Sequence, residues 1–379
     1  MKKLIRVTTT DISLDCLLQG QLKFLNQYYE IIGIAANTGY LAEVEKREGI
    51  RTIDIPMSRE ISFKSDLKNL WQLIKIFRKE KPFIVHTNTP KGSLLSLIAA
   101  KVVGVPHRIY LVTGLRYQGA TGLFRLILMM MERISCFCAT NVIPEGNGVK
   151  KTLYQDHITN KPLKVIHHGN INGKDTSYWS VEQCPETKEE IRKKLGLNDT
   201  DFVFIFTGRI VKDKGMHELV LAMRHLKNDY PHCKLLLAGE YETHLDPLDD
   251  DDNQYIQTDD SIQYLGLMTD IRPYYKAADA LVFPSYREGF PNVVLEAGAL
   301  GLPSIVTDIN GCNEIIEEGV NGVIIPARDA DALYKSMKYF LDSPNKVKEM
   351  ANQARHIIQE KFEQKDVWEE LLKMYKSLE

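Results

Sequence analysis

Short apolar runs alternate with amphipathic segments along the first half of the chain. Residues 65–81 have helical spacing, and their apolar face consists of Leu67, Leu70, Trp71, Ile74 and Phe77. A second helix is predicted over Ser93–Val103, ended by Gly104 and Pro106. The β-branched and apolar runs predict strands at Leu4–Thr8, Ile31–Ala35, Arg51–Ile55, Phe83–Thr87 and Arg108–Val112. This alternation predicts an α/β fold with a mostly parallel, doubly wound sheet.

The second half of the chain repeats the alternation. Its predicted strands are Phe202–Phe206, Lys234–Ala238, Ile262–Leu265, Ala280–Phe283, Ser304–Val306 and Gly322–Ile325. Between the halves the periodicity is lost and Gly, Asn, Ser and Thr are frequent, which predicts a linker over residues 171–195. A closing helix over 365–378 has an apolar stripe of Val367, Leu371, Leu372 and Tyr375. We therefore expect two doubly wound domains, 1–170 and 196–362, that bind ligands in a cleft between the carboxyl ends of their strands.

The composition of the 379 residues, 44% hydrophobic and 26% charged, is typical of a globular protein. The longest apolar run, Leu126–Met131, is bounded by Arg125 and Glu132, which is too short for a membrane span. The first residues lack the apolar core of a signal peptide, so we expect a cytoplasmic protein. Six scattered cysteines fit a reducing compartment. We interpret Cys136 and Cys138, in a helical apolar pattern, as small buried hydrophobes and expect no metal site.

The net charge of −2 conceals a difference between the two halves. Residues 1–170 contain 24 Lys and Arg against 13 Asp and Glu, whereas residues 171–379 contain 24 against 37. The first half is therefore expected to meet something anionic. Its basic residues are dispersed without interleaved aromatic residues, which disfavours nucleic acid. The helix at 66–81 carries Lys68, Lys75, Arg78, Lys79 and Lys81 beside Trp71 and Phe77. That pattern suits an anionic membrane surface and equally an ordinary helix packed on a sheet.

The acidic run Asp249–Asp252 is interpreted as a solvated loop.

The first candidate binding motif reads Phe206-Thr-Gly-Arg-Ile-Val-Lys-Asp-Lys-Gly215 and follows a predicted strand. It opens a predicted helix, whose N terminus carries partial positive charge that suits a phosphate group. Arg209 and Lys214 can neutralise a diphosphate from two sides, Arg209 by a forked contact and Lys214 as a point charge. Two solvated surface cations would produce the same spacing, so this motif alone leaves both interpretations open.

The second motif, Pro284-Ser-Tyr-Arg-Glu-Gly-Phe-Pro-Asn-Val-Val-Leu-Glu-Ala297, follows the predicted buried strand Ala280–Phe283. Pro291 suits the first turn of a helix. Glu288 then lies before that helix, and Glu296 lies inside it among apolar neighbours, where a carboxylate needs a partner. Two carboxylates at different depths can accept hydrogen bonds from two sugars, while the backbone N–H groups of Asn292 and Val293 face a phosphate between them.

Together these motifs resemble the retaining glycosyltransferases of family four, which have the GT-B fold. The resemblance is carried by Glu288-x₇-Glu296, by Gly208–Gly215, by Thr307–Glu314, and in the first half by Val85–Gly92 and Gly104–Pro106. Within that family the chain is similar to bacterial enzymes of capsule, O-antigen and undecaprenyl-diphosphate-glycan assembly. The resemblance implies two Rossmann-like domains that face a central cleft, with the closing helix, 363–379, completing the N-terminal domain.

The resemblance also implies roles for individual residues. Arg209 and Lys214 match the pair that holds the donor diphosphate and stabilises the departing UDP without a metal ion. Glu288 matches the carboxylate that contacts the donor sugar, and Glu296 the one that binds the ribose hydroxyls. The other implied donor contacts are Gly208, Gly289, Phe290, Pro291, Asn292 and Val293. The implied partners are a UDP-sugar and a lipid-diphosphate-linked glycan acceptor. The positive charge of the first half adds the expectation of peripheral association with an anionic membrane surface, the inner face of the cytoplasmic membrane.

The first half departs from the family pattern on the acceptor side. The loop after the first strand reads Thr8–Leu14 and lacks the common glycine pair, and Val112-Thr-Gly-Leu-Arg116 lacks the usual histidine. The acceptor-side candidates that remain are Ser13, His86, Thr113 and Gly114. A single histidine at a strand end is more often structural than functional, so His86 is open to both interpretations.

No carboxylate stands out as the nucleophile of a double displacement. The resemblance implies front-face attack instead, with the leaving phosphate oxygen taking the acceptor proton. One alternative of the same fold is a non-hydrolysing UDP-sugar 2-epimerase, which would act without an acceptor. A dinucleotide dehydrogenase is disfavoured because the glycine fingerprint after the first strand is missing.

Overall fold

A computed structural model describes residues 1–58, 62–242 and 246–379, which divide into two units. Unit 1 comprises residues 1–173 and 364–379, and unit 2 comprises residues 174–363. Most of the predicted linker, 171–195, therefore belongs to unit 2, where it contains a helix over Lys188–Lys194. A capping box between Thr187 and Glu190 starts this helix. The linker is predicted from the loss of apolar periodicity, and a capping box does not depend on that periodicity.

Unit 1 contains a parallel sheet in the order β3-β2-β1-β4-β5-β6. Its strands are β1 (Lys3–Thr10), β2 (Glu30–Ala36), β3 (Arg51–Asp54), β4 (Ile84–Thr87), β5 (His107–Val112) and β6 (Asn141–Pro144). Its helices before residue 173 are α1 (Asp11–Leu17), α2 (Gln21–Leu25), α3 (Leu41–Glu48), α4 (Phe63–Glu80), α5 (Pro90–Val103), α6 (Gly122–Cys138) and α7 (Asn147–Gln155). The five predicted strands are present. The pattern does not predict β6, a four-residue edge strand that ends in a proline, which only an edge strand tolerates.

Helix α4 packs on unit 1 with only part of its predicted apolar face. Leu73 and Phe77 are fully buried, whereas Leu67 is 61% exposed and Trp71 is 56% exposed. Leu70 and Ile74, also on the predicted face, pack against the core together with Phe77. The periodicity is therefore correct and the predicted face is right in part, because apolar residues cover more of the helix than the stripe that packs on unit 1. Leu67 and Trp71 therefore lie on the solvent side.

Unit 2 contains a second parallel sheet, in the order β12-β11-β10-β7-β8-β9. Its strands, all six of them predicted, are β7 (Phe202–Thr207), β8 (Cys233–Ala238), β9 (Ile262–Gly266), β10 (Ala280–Phe283), β11 (Ser304–Thr307) and β12 (Gly322–Ile325). Its helices are α8 (Lys188–Lys194), α9 (Met216–Asp229), α10 (Asp250–Thr258), α11 (Arg272–Ala277), α12 (Asn292–Ala299), α13 (Cys312–Ile315), α14 (Ala330–Asp342) and α15 (Pro344–Phe362). Residues 203–206 of β7 are fully buried, as expected for a central strand covered on both faces.

The acidic run at 249–252 is not the solvated loop that its charge predicts. Asp249 is the N-cap of α10, and Asp250, Asp251 and Asp252 form the first turn of that helix. Negative charges are favourable at this end of a helix because the helix N terminus carries partial positive charge. Asp252 is also buried, and its carboxylate bonds Nδ1 of His217 at 2.8 Å.

The last helix, α16 (Gln364–Lys376), belongs to unit 1, as the resemblance implies. The predicted stripe is correct, since Val367, Leu371, Leu372 and Tyr375 are all buried. Where α16 packs on the sheet of unit 1, Arg6 Nη1 donates hydrogen bonds to Nδ1 of His86 at 2.6 Å and to Oη of Tyr375 at 3.2 Å. The last helix is therefore tied by polar contacts to two central strands, β1 and β4.

Candidate active site

The candidate donor site lies at the switch point of the sheet in unit 2. Strands β7 and β10 are neighbours, and the sheet grows from β7 through β8 and β9 on one side and from β10 through β11 and β12 on the other. In open α/β sheets, ligands bind outside the carboxyl ends of the two strands where the order reverses. Both predicted motifs start at those ends, residues 208–215 after β7 and residues 284–291 after β10.

Lys214 and Glu288 connect the two motifs. The Lys214 ammonium forms an ion pair with Oε1 of Glu288, and both side chains are mostly buried. Ser285, which is fully buried, donates a 2.9 Å hydrogen bond to the same carboxylate oxygen. The Lys214 ammonium also lies 5.5 Å from the ring centre of Phe283. The structure thus brings a predicted phosphate-binding cation and a predicted sugar-binding carboxylate into direct contact.

The two loops also touch through their backbones. Gly215 has φ of +73°, and a Cβ atom at this position would lie 2.2 Å from the carbonyl oxygen of Pro284. The backbone N–H of Tyr286 donates to the Asp213 carbonyl at 2.9 Å, and the Arg287 guanidinium bonds the Asp213 carboxylate at 2.7 Å. Because only glycine permits this approach, Gly215 fixes the separation between the Lys214 loop and the Glu288 loop.

Arg209 lies at the open side of the first motif. Its side chain is half exposed and forms an ion pair with Glu242, which follows β8. The preceding residue, Gly208, is in close contact with Gly239, because a Cβ atom on Gly239 would lie 1.8 Å from the Gly208 carbonyl oxygen. The half-exposed guanidinium therefore extends from a closely packed backbone at the carboxyl end of the sheet, where it is accessible to a ligand.

Glu296 lies on α12, and its partner is a residue that the sequence analysis assigns to the linker. The Lys174 ammonium contacts Oε1 of Glu296 at 2.6 Å, and the two side chains are 12% and 14% exposed. Val294, Leu295 and Ala297 around it are buried, so Glu296 does have the partner that its apolar surroundings require. A carboxylate has four lone-pair positions, which leaves Glu296 the capacity to accept ribose hydroxyls.

The start of α12 differs in detail from the prediction. Pro291 is the N-cap and Asn292 is the first helical residue, so the proline lies just before the first turn. Phe290 is buried, and Gly289, Asn292 and Val293 are half-buried beside it. This turn is held closely by Gly311, at which a Cβ atom would lie 2.6 Å from Cα of Phe290. The predicted donor contacts thus form one short, well-packed turn.

Neither a thiolate nor a metal centre is evident around this turn. Burial raises the pKa of the Cys312 thiol far above its usual range, and the nearby Glu288 carboxylate adds to the effect, so the thiol stays protonated. Within residues 1–58, 62–242 and 246–379, no group of three or more His, Cys, Asp or Glu side chains is arranged to hold a metal ion.

The predicted acceptor-side residues are spread over the switch point of unit 1. Ser13 is half-buried on α1, which starts directly after β1, so residues 11–14 are helical rather than part of a loop. Thr113 donates a 2.8 Å hydrogen bond to the carbonyl of Asn88, and Gly114 follows it with φ of +149°. Thr113 and Asn88 thus join the ends of β5 and β4.

His86 is placed where an acceptor does not reach it. The residue is fully buried, and its Nδ1 contacts Arg6 and Tyr375. Burial, with a contribution from the Arg6 charge, holds the pKa of His86 well below its usual range. These contacts argue for the structural interpretation of His86, because the imidazole is neutral and faces α16.

Three further residues lie at the candidate site positions and are not identified by the sequence motifs: Lys174, Ser285 and Asn88. Lys174 and Glu296 are 122 positions apart, so no local pattern can pair them. Ser285 lies within the second motif, but a serine beside a proline is also a common turn residue. Asn88 is 1% exposed, and among the described residues its amide nitrogen and oxygen have no hydrogen-bond partner. Its position directly after β4 was the available signal, since strand ends at a switch point hold ligand contacts.

The chain matches two protein-family models. Residues 187–357 match the model of the family described as glycosyl transferases group 1, and residues 16–144 match the model described as glycosyl transferase 4-like. The chain is 32% identical over 375 residues to the Staphylococcus aureus capsular polysaccharide biosynthesis glycosyltransferase CapM, covering 99% of this chain and 97% of that protein.

Two further comparisons concern a curated enzyme and a solved structure. The chain is 30% identical over 325 residues to the Escherichia coli UDP-Gal:alpha-D-GlcNAc-diphosphoundecaprenol alpha-1,3-galactosyltransferase, covering 82% of this chain and 80% of that one. Its fold is similar to that of Anabaena Alr3699/HepE in complex with UDP and glucose, with a TM-score of 0.82, 18% identity and full coverage of both chains.

The family models and the curated relatives identify the kind of enzyme. Both models describe glycosyltransferases, which leaves the 2-epimerase alternative without support. The structural likeness shows the GT-B fold, with a Rossmann-like sheet in each unit. The chain is a glycosyltransferase and belongs to the group 1 family, with a glycosyltransferase-4-like first half.

Proposed function

We propose that this glycosyltransferase moves a hexose from a UDP-sugar to a lipid-diphosphate-linked glycan acceptor in the synthesis of a bacterial surface polysaccharide. The name of the Escherichia coli relative pairs a UDP-linked donor with a diphosphoundecaprenol-linked sugar, and that of the Staphylococcus aureus relative describes a glycosyltransferase of capsular polysaccharide biosynthesis. The observation that carries the proposal is the contact between Lys214 and Glu288 at the switch point of unit 2. It places a cation for a diphosphate beside an acceptor of sugar hydroxyl groups.

In the proposed reaction, the donor first competes with ion pairs that exist in the protein alone. The diphosphate replaces Glu288 as the partner of Lys214 and Glu242 as the partner of Arg209. Glu288, still bonded by Ser285, then accepts hydrogen bonds from the sugar. Glu296, held by Lys174, accepts the ribose hydroxyls. The cations and the N terminus of α12 stabilise the charge that develops on the departing UDP.

We further propose that transfer retains the configuration of the anomeric carbon and requires no metal ion. The bond from C1 to the β-phosphate oxygen breaks as a bond from C1 to the acceptor oxygen forms on the same face. The acceptor proton passes to the departing phosphate oxygen, so UDP and the glycosylated acceptor are the only products. The protonated thiol of Cys312 is a poor nucleophile, which disfavours a covalent intermediate on that residue.

Donor binding is tested directly by saturation-transfer NMR on the full chain. The ligands to compare are UDP-GlcNAc, UDP-GalNAc, UDP-glucose, UDP-galactose and GDP-mannose. The proposal predicts that UDP-linked sugars show saturation transfer and that unlabelled UDP displaces them, with the N-acetylated hexoses as the first to test. Binding of GDP-mannose alone would contradict it.

Product analysis tests the chemistry. The enzyme is incubated with the bound donor and a short-chain undecaprenyl-diphosphate sugar analogue, with and without EDTA. We expect an α-linked product from an α-linked donor and equal rates in both samples. A β-linked product would overturn retention, and loss of activity in EDTA would overturn metal independence. Conversion of the UDP-sugar to its 2-epimer without acceptor would restore the rejected alternative.

A further inference from the structure

Helix α6 carries a row of large apolar side chains that face solvent. The exposed fractions are 74% for Leu123, 59% for Leu126, 53% for Met130 and 69% for Phe137, and Phe124, Ile127 and Ile134 are also exposed. At helical spacing, most of these side chains lie opposite the buried face of the helix, which contains Leu128, Met129 and Cys136. Single exposed apolar residues are ordinary, but a contiguous stripe along a whole helix marks an interaction surface.

Helix α4 adds a second exposed apolar row in the same unit. Phe63 is 88% exposed, and it lies four and eight positions before Leu67 and Trp71, which are also exposed. Helix α5 packs against α4 on one side and against α6 on the other. We call the solvent side of α4 and α6 the α4–α6 face.

The charge of this region is strongly positive. Residues 63–139 contain twelve Lys and Arg but three acidic residues, Asp66, Glu80 and Glu132. Each of the three is engaged within unit 1. Asp66 lies 2.6 Å from the ammonium of Lys91, Glu80 forms ion pairs with Lys3 and Arg51, and Glu132 is buried.

Cations also lie directly beside the exposed aromatic rings. The Lys101 ammonium is 3.4 Å from the ring centre of Phe137, and the Lys75 ammonium is 5.7 Å from that of Trp71. Lys64 and Lys68 are exposed next to Phe63 and Leu67. The face therefore combines apolar side chains with a fringe of positive charge, the combination that lies in the interface of an anionic bilayer.

We propose that the α4–α6 face is a docking surface for a lipid bilayer that contains anionic headgroups. The apolar rows of α6 and α4 enter the headgroup–acyl boundary, and the lysines around them contact the lipid phosphates. None of the helices in the described residues is long and apolar enough to cross a membrane, so this contact lies along the bilayer surface. The charge pattern of the sequence predicts membrane contact on residues 66–81, including Phe77. Phe77 is buried, and the larger apolar row belongs to α6.

The charge of the face argues against a second copy of the chain as its partner. A two-fold dimer would press the same net positive surface against itself, which costs electrostatic free energy without an intervening anion. An anionic bilayer neutralises that charge instead. This inference goes beyond the proposed function, because its test requires neither a donor nor an acceptor.

Co-sedimentation of the full chain with vesicles tests the docking surface. The vesicles are phosphatidylcholine alone or phosphatidylcholine mixed with phosphatidylglycerol, each at low and high salt. The test variant is Leu123→Ser/Ile127→Ser/Met130→Ser, which changes exposed positions of α6. The matched control, Leu267→Ser/Val320→Ser, changes exposed apolar residues of unit 2. A third variant, Lys64→Gln/Lys68→Gln/Lys75→Gln, removes the charge of α4, and circular dichroism checks that every variant is folded.

We expect the wild type and the control to bind phosphatidylglycerol vesicles with a partition coefficient at least about tenfold above that of either α4 or α6 variant. High salt should lower wild-type binding, because the cationic contribution is screened. Absence of binding at both salt concentrations would overturn the proposal, as would an α6 variant that binds as the wild type does. A wild-type dimer that the α6 substitutions dissociate, with unchanged vesicle binding, would assign the face to a second copy.

Discussion

The carboxyl group of Glu132 is buried inside unit 1, where Tyr110 Oη donates a 2.6 Å hydrogen bond to it. Burial raises the pKa of Glu132 to about 7. The folded protein therefore keeps a proton that the unfolded chain releases near its ordinary pKa of about 4.5. Between these two values the folded state binds more protons, so this group lowers the free energy of unfolding as the pH rises.

Glu132→Gln is therefore expected to stabilise the protein selectively at high pH. Glutamine keeps an oxygen to accept the Tyr110 hydrogen bond but cannot ionise. In urea unfolding, the variant should gain roughly 3 kcal/mol at pH 8 and less than about 1 kcal/mol at pH 5. The control Glu360→Gln changes an exposed carboxylate and should show no such difference. An equal gain at both pH values would mean that ionisation of Glu132 is not the cause.

In the donor site, Arg209 and Glu288 are each proposed to act through the charge of a single side chain. Arg209→Ala removes a contact to the departing diphosphate, and Glu288→Gln removes the charge of a carboxylate that the proposal sets against the donor sugar. We expect each substitution to lower kcat by about 10²–10³-fold. The control is Lys212→Ala, whose exposed ion pair with Asp249 should matter less than about fivefold. Near-native turnover of both site variants would refute the assignment.

Single residues also show what the sequence could and could not predict. A motif directly after a predicted strand determines where the backbone of its residues lies in the fold. The sequence could therefore place four side chains at the switch point of unit 2: Arg209, Lys214, Glu288 and Glu296. Their ionic partners were not predictable, since Glu242 and Lys174 are brought in by folding from 33 and 122 positions away. A motif specifies the residue type, whereas the charge environment depends on tertiary contacts.

At the scale of elements, the donor site depends on the contact between two loops. Gly215 and Gly319 have nearly the same conformation, with φ of +73° and +74°. A Cβ atom on Gly215 would meet the carbonyl oxygen of Pro284, whereas a Cβ atom on Gly319 would find nothing within 4 Å. Alanine substitutions at the two positions can therefore be compared. Both introduce the strain of a non-glycine residue in a left-handed conformation, but only the one at Gly215 also disturbs the contact between the loops.

Gly215→Ala is expected to damage both stability and turnover, while Gly319→Ala should affect stability alone. The Gly319 variant carries only backbone strain, about 1 kcal/mol. The Gly215 variant must in addition push the Glu288 loop away from Lys214, which should raise the KM for the donor and lower kcat. Urea unfolding and steady-state kinetics of both variants check this. Equal kinetics in the two variants would show that the loop contact does not position the site.

The elements also show why periodicity alone is insufficient. The pattern correctly predicts that α4 is a helix, but which of its apolar residues become buried is decided by the neighbours, α5 and the sheet. The beginnings of α8 and α10 depend on capping and charge at the first turn, which an apolar pattern does not contain. Strands were more predictable, because a parallel strand covered on both faces must be continuously apolar.

For the molecule as a whole, unit 1 is completed by a helix that follows unit 2 in the chain. Tyr375 on that helix contacts the buried Arg6 and His86. Tyr375→Phe would leave the guanidinium with one fewer buried partner, so we expect a loss of about 1–3 kcal/mol in the free energy of unfolding. Tyr339→Phe, at a partly exposed tyrosine of unit 2, is the control and should be neutral. An unchanged unfolding midpoint for Tyr375→Phe would show that this contact does not hold α16.

His86 gives the same cluster a pH dependence of opposite sign to that of Glu132. Its pKa is lowered in the folded state, so the unfolded chain binds the extra proton. The stability that the cluster contributes is present above the ordinary histidine pKa and is lost as the pH falls below it.

The return of α16 to unit 1 has a consequence for synthesis on the ribosome. Every residue of unit 2, 174–363, is translated before α16. Unit 2 can therefore finish folding while the first-made unit still exposes the apolar surface that Leu371, Leu372 and Tyr375 cover later. Synthesis of unit 1 starts before that of unit 2, but its fold is completed only when α16 has been made. Unit 1 is therefore the unit that we expect to need protection by a chaperone during translation.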